Sequence, residues 1–201
     1  DPISDYLNLP ATPLNYTNLN LPAFMHGSEI SSFDNTPSHN PVTDHGATLG
    51  RVLFYEKALS KNSSISCASC HKQNKGFSDD AILSEGWEGH KTGRHSMGII
   101  NAKYYISGKF FWDERAATLE DQVLMPIQDS VEMGLTLSEM EQRLKSLPYY
   151  KPLFNNAFGS DEITTDKAAL ALAQFVRSIV SYNTKYDIGR AQVNSIFDPF
   201  P

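Results

Sequence analysis

Cysteine is nearly absent from this chain. Two of the 201 residues are cysteines, Cys67 and Cys70, so cysteine chemistry is confined to one place. Long apolar runs are missing too. The longest, from Ala168 to Val180, is short and broken by Gln174 and Arg177, and is no transmembrane span. Basic residues are in deficit, with 17 Lys and Arg against 23 Asp and Glu and a net charge of −6. That balance argues against nucleic acid or an anionic membrane surface as a partner. The sequence shows no internal repeat, no βαβ pattern, and no basic-then-apolar leader before Asp1, so a processed N-terminus is the expectation. What is present suffices for one domain of ordinary size with a core, plus extensions.

Both cysteines fall in Cys67-Ala68-Ser69-Cys70-His71. This C-x-x-C-H spacing is the signature of covalent c-type haem attachment. Two thiols add to the haem vinyl groups, and the adjacent histidine offers an imidazole nitrogen to the iron. Two other readings use the same residues. A Cys67–Cys70 disulfide would suit a thioredoxin-like motif, but such motifs lie near a βαβ pattern. A zinc site could add His90 and His95. The nineteen residues between Cys70 and His90 exceed the usual finger spacing, and they read as a Gly-rich loop. Haem is the reading adopted. Its propionates would add negative charge, which permits a basic electron-donor protein.

Residues 1–43 are rich in Pro, Asn, Ser and Thr, and read as an extended arm. Thr43 or Asp44 caps a helix expected to run to about Leu59, with Leu49, Val52, Leu53 and Leu59 near one face to pack on the haem. Residues 72–110 carry Gly76, Gly86, Gly89, Gly93, Gly98 and Gly108 and read as long loops, which in a compact domain tend to be functional. Thr118 caps a segment with Leu119, Val123 and Ile127, which Pro126 should kink or end. Thr136 and Glu139 form a capping box. Pro148 and Pro152 punctuate the next stretch. Thr164 or Thr165 opens the strongest helix, with a stripe of Leu172, Phe175, Val176 and Ile179. Residues 187–201 read as a linker. The expectation is a mostly α, cytochrome c-like haem domain over 44–186, with long loops and the N-terminal arm.

More distinctive runs surround the haem motif. Leu49-Gly50-Arg51-Val52-Leu53-Phe54 precedes it. Phe110-Phe111-Trp112-Asp113-Glu114-Arg115-Ala116 follows, then Pro126-Ile127-Gln128 and Glu132-Met133-Gly134. In this order and spacing, over roughly residues 40–190, the chain resembles the N-terminal, peroxide-reacting half of the bacterial di-haem cytochrome c peroxidases. That family also includes the di-haem enzyme that matures a tryptophan-derived quinone cofactor. The resemblance implies roles. Cys67 and Cys70 would hold the haem, and His71 would be its proximal ligand. Trp112 would stand between two haems as an electron path. Gln122 would be a distal-pocket glutamine and Glu132 the catalytic carboxylate. A carboxylate that first accepts and then donates a proton can serve both oxygens of hydrogen peroxide, and partial burial should raise its pKa toward working pH.

The resemblance is incomplete. The family uses two C-x-x-C-H motifs and this chain has one. A second haem c is therefore expected in a further domain beyond residues 187–201 or in a partner chain, unless this is a single-haem variant. Many members cap the iron with a loop histidine. Here Trp87 falls near that position, and His90, His95 and Met97 are the candidate distal ligands, on a loop that Gly86, Gly89 and Gly93 would let move. Interdomain calcium is a further implied group, although His95 stands where the family has an asparagine ligand. Implied partners are hydrogen peroxide, a small cytochrome c or cupredoxin as electron donor, the second haem domain and a possible homodimer. Assembly of c-type haem outside the bacterial cytoplasm implies the periplasm or outer surface. Two other functions use the same residues: a relay cytochrome with a sixth iron ligand, and a di-haem oxidase acting on a partner protein.

Overall fold

The computed structural model describes residues 1–189. Its elements are helices: α1 (Pro2–Tyr6), α2 (Ser28–Ser31), α3 (Asp44–Tyr55), α4 (Cys67–Cys70), α5 (Leu119–Gln128), α6 (Leu137–Ser146), α7 (Tyr150–Phe158) and α8 (Thr165–Ser178), with short 3₁₀ turns between them. Among the described residues there are no strands, only isolated bridges such as Lys72 with Ser78 and Glu85 with Lys91.

The capping residues act as the sequence implies. Thr43, Thr118, Thr136 and Thr164 each accept a backbone N–H of the following first turn, which satisfies a donor the helix itself cannot. Glu139 completes the box by accepting from the Thr136 N–H at 2.8 Å. Pro126 lies inside the last turn of α5, which ends two residues later. Lacking an N–H, it leaves the Gln122 carbonyl without its usual helical donor. The helix from Thr43 stops at Tyr55, short of the expected Leu59. Glu56 turns extended, and its side chain caps a separate turn, Lys57–Leu59.

α3 and α8 form the centre of the core. Leu49, Leu53 and Phe54 of α3 pack with Leu172, Phe175 and Val176 of α8, and α5, α6 and α7 close the sides. The two central helices meet at backbone distance. A Cβ on Gly50 would lie 1.9 Å from the Ala171 carbonyl oxygen. Beside this crossing runs a buried polar clamp. Gln174 accepts from the Thr43 N–H at 2.9 Å and donates to Asn40 at 2.8 Å; Asn40 donates to Glu120 at 2.7 Å. Glu120 pairs with Arg177, which is only 2% exposed. Breaking one partner of such a pair would strand a buried charge.

The clamp ties the arm down. Residues 1–43 are largely irregular, as expected, but α1 and α2 interrupt them. The arm is fastened where Tyr16 and Thr17 donate to Asp44 and where Asn35 bonds Lys103 and Ala102. The linker expected over 187–201 falls, from residue 190 onward, outside the described residues.

Gly50→Ala is expected to cost about 1 to 3 kcal/mol by overpacking the crossing. Gly93→Ala, at an open position, should be neutral. Thermal melting of the two variants checks this, at about 2 to 4 °C for each kcal/mol in a chain of this size.

Candidate active site

The haem motif occupies a single helical turn. Cys67 and Cys70, three apart on α4, share one face of that turn. The Ser66 N–H donates to Ser69 Oγ at 3.0 Å and sets the start of the turn. Both cysteines are free, so the disulfide reading does not describe this structure. Burial pushes the Cys67 thiol up to about 12, with further repulsion from Cys70 and Glu132. Cys70 is raised as well, by burial first and then by Glu132 and Asp79.

His71 closes the turn. Its Nδ1 lies 3.1 Å from the Phe77 carbonyl oxygen and 3.2 Å from Ser96 Oγ. A carbonyl only accepts, so Nδ1 carries the proton and Nε2 keeps a free lone pair. Burial holds the imidazole pKa down, and the Phe77 and Met97 carbonyls oppose this in part. A neutral imidazole with an anchored Nδ1 is the form that ligates iron. Two unpaired thiols on one face, with this imidazole beside them, fit a covalent haem. They do not fit zinc. His90 is exposed, with the Glu88 carboxylate 3.8 Å from its ring, and no group of three His, Cys, Asp or Glu able to hold a metal ion occurs among the described residues. The calcium expectation likewise finds no ligand cluster among them.

Glu132 sits in a loop held from two sides. From within, Asp129 Oδ1 accepts the N–H groups of Val131 and Glu132 at 2.8 and 3.0 Å, and the Gly134 N–H donates to the Asp129 carbonyl. From outside, Trp87 grips the same loop. Its backbone N–H donates to the Glu132 carbonyl at 3.0 Å and its indole N–H to the Ser130 carbonyl at 2.9 Å. Asn62 in turn holds the Trp87 carbonyl at 2.7 Å. Glycine is needed on both sides. A Cβ on Gly86 would lie 1.6 Å from the Val131 carbonyl oxygen, and one on Gly134 2.5 Å from the Trp87 indole nitrogen. The Glu132 carboxyl itself has neither a hydrogen bond nor an ion pair among the described residues. Burial raises its pKa, the Asp129 charge raises it further, and Arg115 pulls it back.

Trp112 is 60% exposed, unusual for so large an apolar side chain. Its indole N–H donates to the His95 carbonyl at 2.9 Å. The turn that carries it is strained, with positive φ at Phe111 and Glu114. Arg115 stacks on Phe111 at 3.6 Å and pairs with Asp113, which also takes Arg94. Gln122 is half-buried on α5, next to the buried Val123, and its amide makes no hydrogen bond among the described residues.

The distal-ligand candidates lie elsewhere. His90 is in solvent. The ring of His95 is engaged at both nitrogens, Nδ1 against the Ala81 and Ile82 carbonyls and Nε2 against Ser78. Met97 meets His71 through its backbone carbonyl. What the structure brings within electrostatic reach of both cysteines is Glu132. Phe77, Ser96 and Asn62 were not among the expected site residues, and Trp87 was expected near the iron rather than as a clasp. Three of these four contacts pass through backbone carbonyls, which side-chain chemistry does not reveal. The paired glycines Gly86 and Gly134 are the nearest signal.

A raised carboxyl pKa means that the fold prefers the protonated acid. The stability this contributes is complete below the ordinary value of 4.5 and is lost as pH rises through the folded-state pKa. Glu132→Gln should therefore melt higher than the parent at pH 7, and the gain should vanish below pH 4.5. Each tenfold shift of the ionisation constant is worth about 1.4 kcal/mol.

Comparison with known proteins agrees with this geometry. Residues 44–192 match the family model described as di-haem cytochrome c peroxidase. The methylamine utilization protein MauG of Methylophilus methylotrophus is 36% identical over 151 residues, 75% of this chain and 44% of the relative. The cytochrome c551 peroxidase of Pseudomonas aeruginosa is 33% identical over 150 residues, 74% of this chain and 43% of the relative. Among solved structures, a MauG-like protein associated with microbial copper homeostasis superposes with a TM-score of 0.76 at 31% identity, covering 89% of this chain and 51% of that one. The chain thus spans about half the length of the proteins it matches or less. With its haem motif, helical core and ordered loops all inside the matched region, the chain belongs to the di-haem cytochrome c peroxidase family.

Proposed function

We propose that this chain is the peroxide-reacting half of a haem peroxidase, which reduces hydrogen peroxide to water with electrons from a small redox protein. The observation that carries this reading is the half-buried, unpaired Glu132 beside the C-x-x-C-H turn. A haem held by Cys67 and Cys70 and ligated by His71 would supply an iron that binds peroxide and takes up its oxidising equivalents.

The residues of the chain supply the rest. The anchored Nδ1 of His71 keeps the imidazole oriented and electron-rich. Glu132 takes a proton from one peroxide oxygen and returns it to the other, so that water leaves. A carboxyl with a raised pKa suits both steps, because it accepts and releases a proton more evenly near neutral pH. The Trp87 clasp holds the loop that carries that carboxyl. The unengaged Gln122 amide is available to hydrogen-bond peroxide or a water beside it. Trp112 presents an oxidisable indole at the surface, where a second redox centre could deliver electrons.

Since the chain covers about half of its relatives or less, the second haem c is assigned to a part of the protein outside it, with calcium, if bound, at the junction. A cytochrome c or cupredoxin as donor, a homodimer, and a periplasmic or outer-surface location all accord with this reading. The exposure of Trp112 favours one second reading, in which oxidising equivalents leave through the indole to a partner protein. A pure relay cytochrome is disfavoured, because it needs a sixth ligand, and His90 stands in solvent while both ring nitrogens of His95 are engaged.

Glu132→Gln in the haem-loaded, full-length protein should slow peroxide turnover by about 10²- to 10⁴-fold, while the haem spectrum at rest is unchanged. Stopped-flow optical spectroscopy measures this. Full turnover in the variant would remove Glu132 from the mechanism.

A further inference from the structure

The C-terminal end of α3 joins the haem motif to a second chemical group. Phe54 lies 6.4 Å from the His71 ring. Two residues on, Glu56 leaves the helix, and its two oxygens take different donors. Oε1 accepts from the Ala58 N–H at 2.9 Å. Oε2 accepts two phenol hydroxyls, Tyr149 at 2.7 Å and Tyr150 at 3.0 Å. Tyr150 is fully buried and Tyr149 is 8% exposed. Their rings are 4.8 Å apart. Tyr149 also lies 5.9 Å from the ring of Tyr6 in α1, which is 65% exposed. Three phenols therefore run from the core to solvent.

Packing alone does not call for this arrangement. Phenylalanine would fill the same volume, as Phe154 does beside Tyr150. Bringing a carboxylate and two hydroxyls out of water carries a desolvation cost that an apolar cluster avoids. Burial, together with Glu56, holds both phenols above their usual pKa range, so both keep their protons at neutral pH. A protonated phenol bonded to a carboxylate is poised to be oxidised. Loss of an electron makes the phenol a strong acid, and the carboxylate is already in place to take the proton.

We propose that Tyr150, Tyr149 and Tyr6 form an exit chain for oxidising equivalents, which carries them from the haem end of α3 to solvent when no electron donor is bound. The proposal rests on the peroxidase reading. Its stoichiometry is closed: one hydrogen peroxide and two phenols give two waters and two phenoxyl radicals. Each phenol loses one electron to the haem side and one proton from its hydroxyl. The inner proton passes to Glu56 Oε2, and the outer one leaves Tyr6 for water. The O–O bond breaks, and two water O–H bonds form with two protons drawn from solvent. The proton from Tyr6 and, once Glu56 reionises, the inner proton replace them. In sum, two phenol O–H bonds break and two water O–H bonds form. A soluble one-electron reductant, such as a small phenol, restores Tyr6 at the surface.

The test is freeze-quench electron paramagnetic resonance on the full-length, haem-loaded protein mixed with hydrogen peroxide and no donor. The expected result is a phenoxyl radical whose spectrum narrows when the tyrosines are ring-deuterated. It should be lost in the Tyr149→Phe, Tyr150→Phe double variant while the optical response of the haem to peroxide persists. Tyr6→Phe should keep the inner radical but slow its quenching by added phenol severalfold. If the double variant does not fold, the two single variants, each with one phenol still on Glu56, are read the same way. A haem that responds to peroxide without a tyrosine radical, or a radical unchanged by these substitutions, overturns the proposal and leaves the peroxidase reading standing. A haem that does not respond removes that reading instead. The stack is then judged with a photogenerated ruthenium(III) polypyridyl oxidant. A radical lost in the double variant supports the exit chain, and one unchanged overturns it.

Discussion

The contact between α3 and α8 at Gly50 and Ala171 is the constraint on which the rest is built. Because Gly50 has no side chain, the two helices approach to backbone distance. That approach sets Phe54 5.2 Å from Phe175 and brings the end of α3 to the His71 ring. It also buries Gln174 and Arg177, polar residues beside the apolar stripe of α8, deep enough that each must be satisfied. The clamp through Asn40, Thr43 and Glu120 satisfies them, and in doing so fastens the N-terminal arm. Helix packing and arm docking are thus one event.

Around this helical frame the site is made from loops. No sheet supports residues 72–116, so their order comes from specific hydrogen bonds and from backbone conformations that are otherwise disfavoured. Phe77, Asn101, Phe111 and Glu114 all adopt positive φ without being glycine, at a cost that the surrounding contacts must offset. Phe77 is informative. Its strained backbone presents the carbonyl that accepts from His71 Nδ1, so the strain is coupled to the orientation of the imidazole.

Two carboxyls beside the motif show how environment separates roles. Asp79 and Glu132 are both partly withdrawn from water, and burial alone would raise both. Asp79 receives Lys72, Ser84 and the Ala81 N–H, which together outweigh burial and hold it far below the usual range. Its hydrogen bond to Ser84 is 2.6 Å long. It is a fixed anion that organises the turn after the motif. Glu132 receives no such donor and is raised. One acid is fixed by its partners, and the other has none among the described residues.

Much of this was legible in the sequence. The threonine caps, the capping box at Thr136, the apolar stripe of α8 and the C-x-x-C-H turn follow from local rules of hydrogen bonding and periodicity, which depend on neighbours three or four residues away. Family spacing pointed to Glu132, Gln122 and Trp112, and the structure shows what surrounds each of them. Tertiary structure alone decided the remainder. The extended backbone of Glu56 ended α3 early and turned its carboxylate to two tyrosines more than ninety residues ahead. The Trp87 clasp on the Glu132 loop joins residues over forty apart through backbone carbonyls that every residue carries alike. The engagement of both His95 ring nitrogens also depends on loop packing, with partners 13 to 17 residues away. Local patterns encode which groups need partners; only the folded chain determines which partners they find, because that choice is made by distance in space and not along the sequence.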